Sequence, residues 1–344
     1  MKVFVTGHLG YVGNVLTEML VQENIEVIGC DIGYYPQEFL DKKSLKITSL
    51  NKDIRDITKE DMKDCFAVLH LAALSNDPLG EINSSLTHDI NYLSTIKLAK
   101  LAKEASVERF IFSSSCSSYG ANNNTVNEQS SLAPLTAYAK TKVESEKEIL
   151  KLADNKFTTT ILRSATAYGV SSSLRLDLVV NNLTASAFTT GSVKLLSDGT
   201  AWRPLVHVRD MSNAFITVLK SPLESIRKEI FNVGTNDDNY TVKEIAKKVE
   251  EIVPNSKVEF AKEANKDNRS YRVDFTKIKS QLDYKTKWRL VDGIKEIYNI
   301  FKMKKFTNDD FKNKSFYRVQ YIMWLIDQGY LDNNLRLKKK WISA

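Results

Sequence analysis

The chain begins with a short apolar run, Lys2–Val5, followed by a glycine-containing polar turn. Apolar positions then recur three and four apart over Tyr11–Gln22. That succession, apolar run then turn then helical spacing, continues through the first half. Glu26–Cys30, Ala67–Leu71, Arg109–Phe112 and Thr159–Leu162 predict further strands, and Ser84–Ala105 and Ala137–Leu152 predict long helices. Strands alternating with helices of this length predict a doubly wound parallel sheet, helices on both faces, with right-handed crossovers.

After Gly169 the rhythm changes. A polar turn at Ser171–Ser173 leads to a predicted helix over Leu174–Thr190, then a strand at Val193–Leu196. Val208–Leu219 and Val242–Ile252 predict helices, with a strand at Glu229–Val233 between them. The expected organisation is an α/β domain of the Rossmann kind over residues 1–168 and a smaller, mainly substrate-binding α/β domain over 169–344. About 205–233 is expected to return and pack on the first sheet. Phe311, Phe316, Tyr317, Tyr321 and Trp324, at helical spacing, predict an aromatic C-terminal stretch over Asn308–Gln328 packed onto the body. No repeat or low-complexity tract interrupts the chain.

With 344 residues, 42% of them hydrophobic, the chain can bury a core without disulfides or metal. Cys30, Cys65 and Cys116 show no CxxC spacing, and His8, His70, His88 and His207 no HxH or HExxH, so no metal site is expected. No apolar run approaches the roughly 20 residues that span a bilayer, nor does the N-terminus read as a secretory signal. A cytoplasmic protein with no membrane partner is the expectation. The formal charge of +7 raises nucleic acid as a partner. Most lysines, however, alternate with Glu on helix faces, as in Lys142–Lys151 and Lys243–Glu251, and no aromatic–basic interleaving accompanies them. A basic surplus equally suits a small dianionic substrate.

The candidate chemistry starts at the first turn, Gly7-His8-Leu9-Gly10-Tyr11-Val12-Gly13, which joins a strand to a helix. Glycines there allow a tight turn and close approach of backbone N–H groups to a pyrophosphate at the helix N-terminus. Asp31 closes the second strand, where a carboxylate accepts the ribose hydroxyls of adenosine and repels a 2′-phosphate, favouring NAD over NADP. Tyr138 and Lys142 stand four apart on a predicted helix, hence on one face. A neighbouring ammonium favours the phenolate of an acid/base tyrosine. Ser113-Ser114-Ser115 follows the strand Arg109–Phe112, at the sheet edge where ligands of doubly wound folds bind.

Taken in order, these motifs, with Asp53-Ile54-Arg55-Asp56, His70-Leu71-Ala72-Ala73, Leu162-Arg163, Arg203…Asp210 and Asn232-Val233-Gly234, resemble the extended short-chain dehydrogenase/reductase family. The branch is the one acting on nucleotide sugars, similar to UDP-galactose 4-epimerases, and the resemblance runs from Met1 to about Phe301. It implies NAD as cofactor, a nucleotide-sugar substrate and a homodimer formed through the two long helices. It also implies that Gly7, Gly10, Tyr11, Val12, Gly13, Asp31 and Ile32 hold the pyrophosphate and ribose, and that Asp53 and Ile54 meet the adenine. Leu71, Ala72, Ala73 and Ser113 would line the cofactor, with Asn91 beneath its phosphate–ribose segment. Ser115, Tyr138 and Lys142 match the catalytic residues, Tyr138 and Lys142 also touching the nicotinamide ribose. Ser115, Thr166, Arg175, Asn182, Leu183, Arg203 and Arg269 fall where substrate is gripped.

The departures from the family pattern bear on the reaction. Related 4,6-dehydratases carry carboxylates just beyond the catalytic hydroxyl, where this chain has Cys116 and Ser117. Thr166 replaces an Asn common in 4-epimerases, and Ser75 a lysine that some of them place near the substrate phosphate. The resemblance therefore implies an epimerase transferring hydride at sugar C4 through a 4-keto intermediate. A C4 dehydrogenase or a 4-ketoreductase would use the same residues. A non-catalytic NAD(H)-binding regulatory protein is the reading from another class, though such proteins typically lose the tyrosine or the lysine.

Overall fold

The computed structural model describes residues 1–37, 39–40, 45–75, 83–265 and 270–338. Seven strands make the central sheet: β1 (Lys2–Thr6), β2 (Glu26–Asp31), β3 (Thr48–Asn51), β4 (Ala67–His70), β5 (Arg109–Ser115), β6 (Thr158–Ser164) and β7 (Glu229–Val233). Their order is β7-β6-β5-β4-β1-β2-β3, and every pairing is parallel. The strand order reverses between β1 and β4, so the carboxyl ends of these strands open the crevice that such sheets offer to ligands.

Both faces of the sheet are covered, which is why β4 and β6 are buried along their whole length. On one face α1 (Tyr11–Gln22) packs against α5 (Val208–Lys220). Val3, Val5, Leu16, Leu20 and Phe215 belong to the core on that side. On the other face α2, over residues 84–104, lies beside α3 (Ala137–Leu152), over Phe4, Val68, Phe110 and Phe112. α2 is a single run of helix through Ser84–His88, Asp89–Leu93 and Ser94–Glu104, wound wider as a π turn over the middle segment. Ser94 Oγ donates to the Asp89 carbonyl there, 2.9 Å away.

A further apolar cluster gathers α4 (Val179–Thr190), α6 (Val242–Ile252) and α7 (Leu290–Lys304). Two small sheets accompany it. Ser192–Ser197 pairs in parallel with Lys257–Asn265, and Trp202–His207 lies between Thr166–Tyr168 and Asn239–Thr241. Between these elements the chain crosses back, placing α5 against α1 and β7 at the edge of the central sheet.

Two elements differ from the sequence pattern. The helix expected from Leu174 starts only at Val179, because Asn181 and Asn182 turn back on the preceding loop. Asn181 Nδ2 donates to the Arg175 carbonyl (2.9 Å) and Asn182 Nδ2 to that of Leu176 (2.8 Å), so these carbonyls are taken by side chains. The aromatic stretch from Asn308 is broken into Asn308–Lys312, a turn at Lys314–Phe316 and α8 (Arg318–Asp327). Tyr321, Ile322 and Leu325 of α8, with Leu331 and Leu335 beyond it, close over Tyr34, Leu74 and Ile90. The C-terminal segment thus lies along the edge of the first sheet.

Candidate active site

A cavity of about 910 Å³ opens at the carboxyl ends of β1, β2, β4 and β5, at the upper end of the size range of small-molecule sites. Its floor begins with the glycine loop. Gly7 has φ +73°, and a Cβ on it would come within 2.9 Å of the Ala72 nitrogen. A Cβ on Gly13 would sit 1.9 Å from the Gly7 carbonyl oxygen. No side chain caps α1 at Gly10, so its first-turn N–H groups remain available beside the cavity. Tyr11 anchors the loop: its hydroxyl donates to the Gly169 carbonyl at 2.7 Å, and burial raises the phenol above its ordinary range. His8 turns the other way, its Nε2 2.9 Å from Ser49 Oγ and its ring packed over Gly29, so it is a core residue.

Asp31 accepts from Leu9 N (3.1 Å) and Gly33 N (2.9 Å), which fixes its carboxylate at the mouth of the loop. Ile32, Asp53 and Ile54 continue this end of the cavity. Asp53 is bridged by Arg55 at 2.7 Å and by Arg336, from the C-terminal segment, at 3.1 Å.

Leu71, Ala72 and Ala73 form the next part of the wall. Thr6 Oγ1 accepts from both Leu71 N and Ala72 N, each at 3.2 Å. Behind it, Thr6, His70 and Thr95 form a buried chain with both imidazole contacts at 2.7 Å. Burial first, then the nearby Lys142 charge, hold His70 far below its ordinary pKa, so this histidine is a neutral strut. Asn91 does not line the cavity. It is 1% exposed, and its amide accepts from Leu74 N (2.8 Å) and donates to Leu74 O (3.1 Å). Its place is to hold the loop after β4, presented there by the π turn.

Tyr138 and Lys142 share one face of α3, whose N-terminus is capped by Thr136 Oγ1 accepting from Ala139 N at 3.2 Å. Lys142 is 2% exposed. Its Nζ donates to Ser113 O at 2.7 Å and lies 4.6 Å from the Phe112 ring centre and 5.7 Å from that of Tyr138. Burial pulls this ammonium down to about 7, against the opposing pull of Glu146. Ser115 Oγ accepts from Ser117 N (3.1 Å), which leaves its O–H as a donor. Ser113, Ser115, Tyr138 and Lys142 all border the one cavity.

Glu146, one helical turn after Lys142, carries a role that the motif reading passed over. It is 2% exposed, takes a hydrogen bond from Ser114 Oγ, and receives Arg163 Nη2 at 2.6 Å and Nε at 3.1 Å. Arg163 Nη1 then reaches Tyr119 Oη (3.1 Å), which donates to Asn232 Oδ1 (2.7 Å). The Leu162-Arg163 and Asn232-Val233-Gly234 motifs are therefore joined in a buried network beneath the serines. The i, i+4 spacing from Lys142 was the available signal.

At the far end stand Thr166, Asn182, Leu183 and Arg203, with Lys194, which the sequence reading did not single out. Arg203 Nη1 donates to Trp202 O at 2.8 Å. Arg175 borders the cavity with its fork already closed on Asp177 (2.8 and 2.9 Å) and Nη1 3.3 Å from Ser75 Oγ. Burial alone would raise the Asp177 carboxyl, but Arg175 carries it below the ordinary value. Arg269 lies outside the described residues. Among the described residues no cluster of His, Cys, Asp and Glu could hold a metal ion, and no helix is long and apolar enough to cross a membrane.

The NAD dependent epimerase/dehydratase family matches residues 3–234. The chain belongs to this family. It is an enzyme, and its cofactor is NAD. The structure fits that cofactor on its own terms, since the loop at Gly7 and Gly13 has no room for a Cβ, α1 is uncapped, and Asp31 is held by two backbone N–H groups at the mouth of that loop. The UDP-glucose 4-epimerase of Lactobacillus helveticus is 30% identical over 318 residues, 86% of this chain and 94% of the relative. The UDP-glucuronic acid 4-epimerase of Bacillus cereus, solved with UDP-glucuronic acid and NAD, superimposes with a TM-score of 0.76 at 24% identity, covering 88% of this chain and 100% of that one. The NDP-hexosamine 5,6-dehydratase TunA superimposes with a TM-score of 0.78 at 22% identity, over 88% and 98% of the two chains. The shared fold thus spans epimerases and dehydratases, and the site must decide between them.

Proposed function

We propose that the chain is a nucleotide-sugar epimerase that inverts the configuration at sugar C4. The observation that carries this reading is the set of groups around the serines. Ser115, Tyr138 and Lys142 border the cavity together, and among its described lining residues the carboxylates are Asp31, Asp53 and Asp177. The first two stand at the glycine-loop end and the third is bound by Arg175. Beside Ser115, where an elimination needs an acid and a base, stands Cys116, fully buried with its Sγ 3.2 Å from Arg163 O. Burial raises that thiol well above its ordinary pKa, so it is a neutral space-filler. The relatives named above support an activated hexose or hexuronic acid as substrate.

NAD, held by the glycine loop, Asp31 and Lys142, supplies the capacity to take up a hydride and return it. Tyr138 as phenolate takes the proton of the C4 hydroxyl. Ser115 donates a hydrogen bond to the same oxygen as it becomes a carbonyl, and Lys142 holds the tyrosine's charge. After the keto sugar has turned over, Tyr138 returns the proton. Arg203 and Lys194 supply cations at the far end, where guanidinium forks suit a diphosphate.

The test is incubation with a panel of UDP-, GDP-, CDP- and dTDP-sugars, with and without NAD⁺, read by mass spectrometry and NMR. The expected product keeps its mass and is inverted at C4. Loss of two hydrogens would mark a dehydrogenase, and loss of water a dehydratase. Tyr138→Phe should remove turnover by a factor of about 10² or more while leaving NAD⁺ binding within a few-fold. Retention of most activity by that variant overturns the mechanism.

A further inference from the structure

The first turn of α8 forms part of the cavity wall. Tyr317, Arg318, Val319 and Gln320 border it, next to Tyr34 and Tyr35, which follow Asp31. No side chain caps this helix, so no side chain offsets the positive end of its first turn beside the cavity. Arg318, at its first position, is 2% exposed. Its Nη2 donates to Ser173 O (3.0 Å) and Ser173 Oγ (2.8 Å), and its guanidinium lies 4.0 Å over the Tyr35 ring. Its Nη1 is sealed from water and has no hydrogen-bond partner.

Two buried cations share one close carboxylate here, and Asp31 acts on Arg318 only from further off. Arg175 and Arg318 are buried neighbours, and Asp177 closes on Arg175. Among the described residues no carboxylate is in ion-pair contact with Arg318. Burial, and then the Arg175 charge, lower its guanidinium to about 10, which still leaves it protonated at neutral pH. A buried cation at a cavity wall without a carboxylate in ion-pair contact is costly by itself and is relieved by an anion bound near it.

We propose that Arg318, with the uncapped first turn of α8, is a binding element for the diphosphate of NAD, brought to the coenzyme end of the cavity by the C-terminal segment. Its neighbours fix which end this is. It stacks on Tyr35, just beyond Asp31, while the segment it opens goes on to bind Asp53 through Arg336 (3.1 Å) and Arg55 through Asn334 O (2.9 Å). Residue 318 lies beyond the stretch matched by the family, which ends at 234. The proposal rests on NAD as cofactor and not on which sugar reaction follows.

The experiment is calorimetric titration of the full-length protein, stripped of nucleotide, with NAD⁺, ADP, adenosine and UDP. Arg318→Met keeps an unbranched apolar side chain and removes the charge together with the guanidinium's stacking on Tyr35. It should raise the Kd of NAD⁺ and ADP roughly 10- to 100-fold, the range of a lost charge-assisted hydrogen bond. Adenosine and UDP should stay within about twofold of the parent. Weakening of adenosine equal to that of ADP would reduce Arg318 to a structural fastener of α8. Weakening of UDP with ADP unchanged would assign the charge to the sugar nucleotide, and no change in any ligand would leave the diphosphate without this partner. Each of these three outcomes overturns the proposal. Should Arg318→Met not fold, judged by its thermal transition, Arg318→Gln keeps a donor for Ser173 and is read against the same four ligands.

Discussion

Lys142 is held in the protein against a gradient of solvation, and replacing it separates stability from function. In an unfolded chain its ammonium titrates at 10.5, and in the folded protein at about 7, chiefly because burial disfavours the charge. The folded state therefore binds fewer protons than the unfolded state between those values, and stability rises with pH across that window. Below about 7 the full penalty applies, roughly 5 kcal/mol at 1.36 kcal/mol per pH unit. Above 10.5 the lysine is neutral in both states and the penalty is gone. Against it stands the bond from Nζ to Ser113 O, about 1.5–3 kcal/mol for a charged donor.

Lys142→Met, nearly isosteric and uncharged, should therefore be the more stable protein by about 2–3 kcal/mol at pH 6, and should be catalytically dead. The assay is urea denaturation of nucleotide-free parent and variant between pH 6 and pH 10. Groups common to both cancel in the difference, so the gap itself should shrink as pH rises from about 7 toward 10. A variant less stable than its parent at pH 6, or a gap indifferent to pH, would show that the ammonium is not buried at a cost. Such a cost at an active site is the usual exchange of stability for a usable group.

Two further substitutions probe the frame around it. Gly13→Ala puts a methyl 1.9 Å from the Gly7 oxygen, so the loop must move. NAD⁺ affinity by calorimetry should fall at least about tenfold, and an unchanged value would mean that the loop is slack. Glu146→Leu leaves Arg163 buried without its carboxylate and should cost about 3–5 kcal/mol in urea denaturation, with Glu146→Gln, which retains hydrogen-bonding atoms, costing clearly less. Equal losses for the two would argue that shape rather than charge pairing matters there.

The parts of this site that could be read from the sequence are those set by backbone geometry over a few residues. Gly7–Gly13 between a strand and a helix leaves little freedom, because the turn needs a positive φ at Gly7 and the packing excludes a Cβ at Gly13. Tyr138 and Lys142 lie on one face because a helix repeats every 3.6 residues. Asp31 ends β2 because the strand does. What the sequence concealed was the destination of side chains. Asn91 has a polar amide and stands at a fitting position, but the π turn in α2 directs it at the Leu74 backbone. Arg175 offers a phosphate-sized fork, yet Asp177, two residues on, already occupies it. The loop that pairs them exists because Asn181 and Asn182 delay the start of α4.

The two arginines that the sequence could least distinguish make the same point from opposite sides. Arg163 and Arg318 are both at least 97% buried, and neither belongs to an obvious phosphate motif. Arg163 has a partner for each nitrogen: Glu146 for Nε and Nη2, Tyr119 for Nη1. A guanidinium so completed is a structural member, and its charge is answered within the protein. Arg318 has two bonds to Ser173, a tyrosine face, a second guanidinium nearby and an idle Nη1. Asp177 and Asp31 act on its charge without closing an ion pair on it. Burial is nearly equal in the two cases, so burial does not separate scaffold from site. The separation comes from counting donors against acceptors around each cation, and for Arg318 that count depends on a contact 145 residues away, at Ser173. A buried arginine at a cavity wall with no carboxylate closed on it is one whose cost a ligand anion would lower.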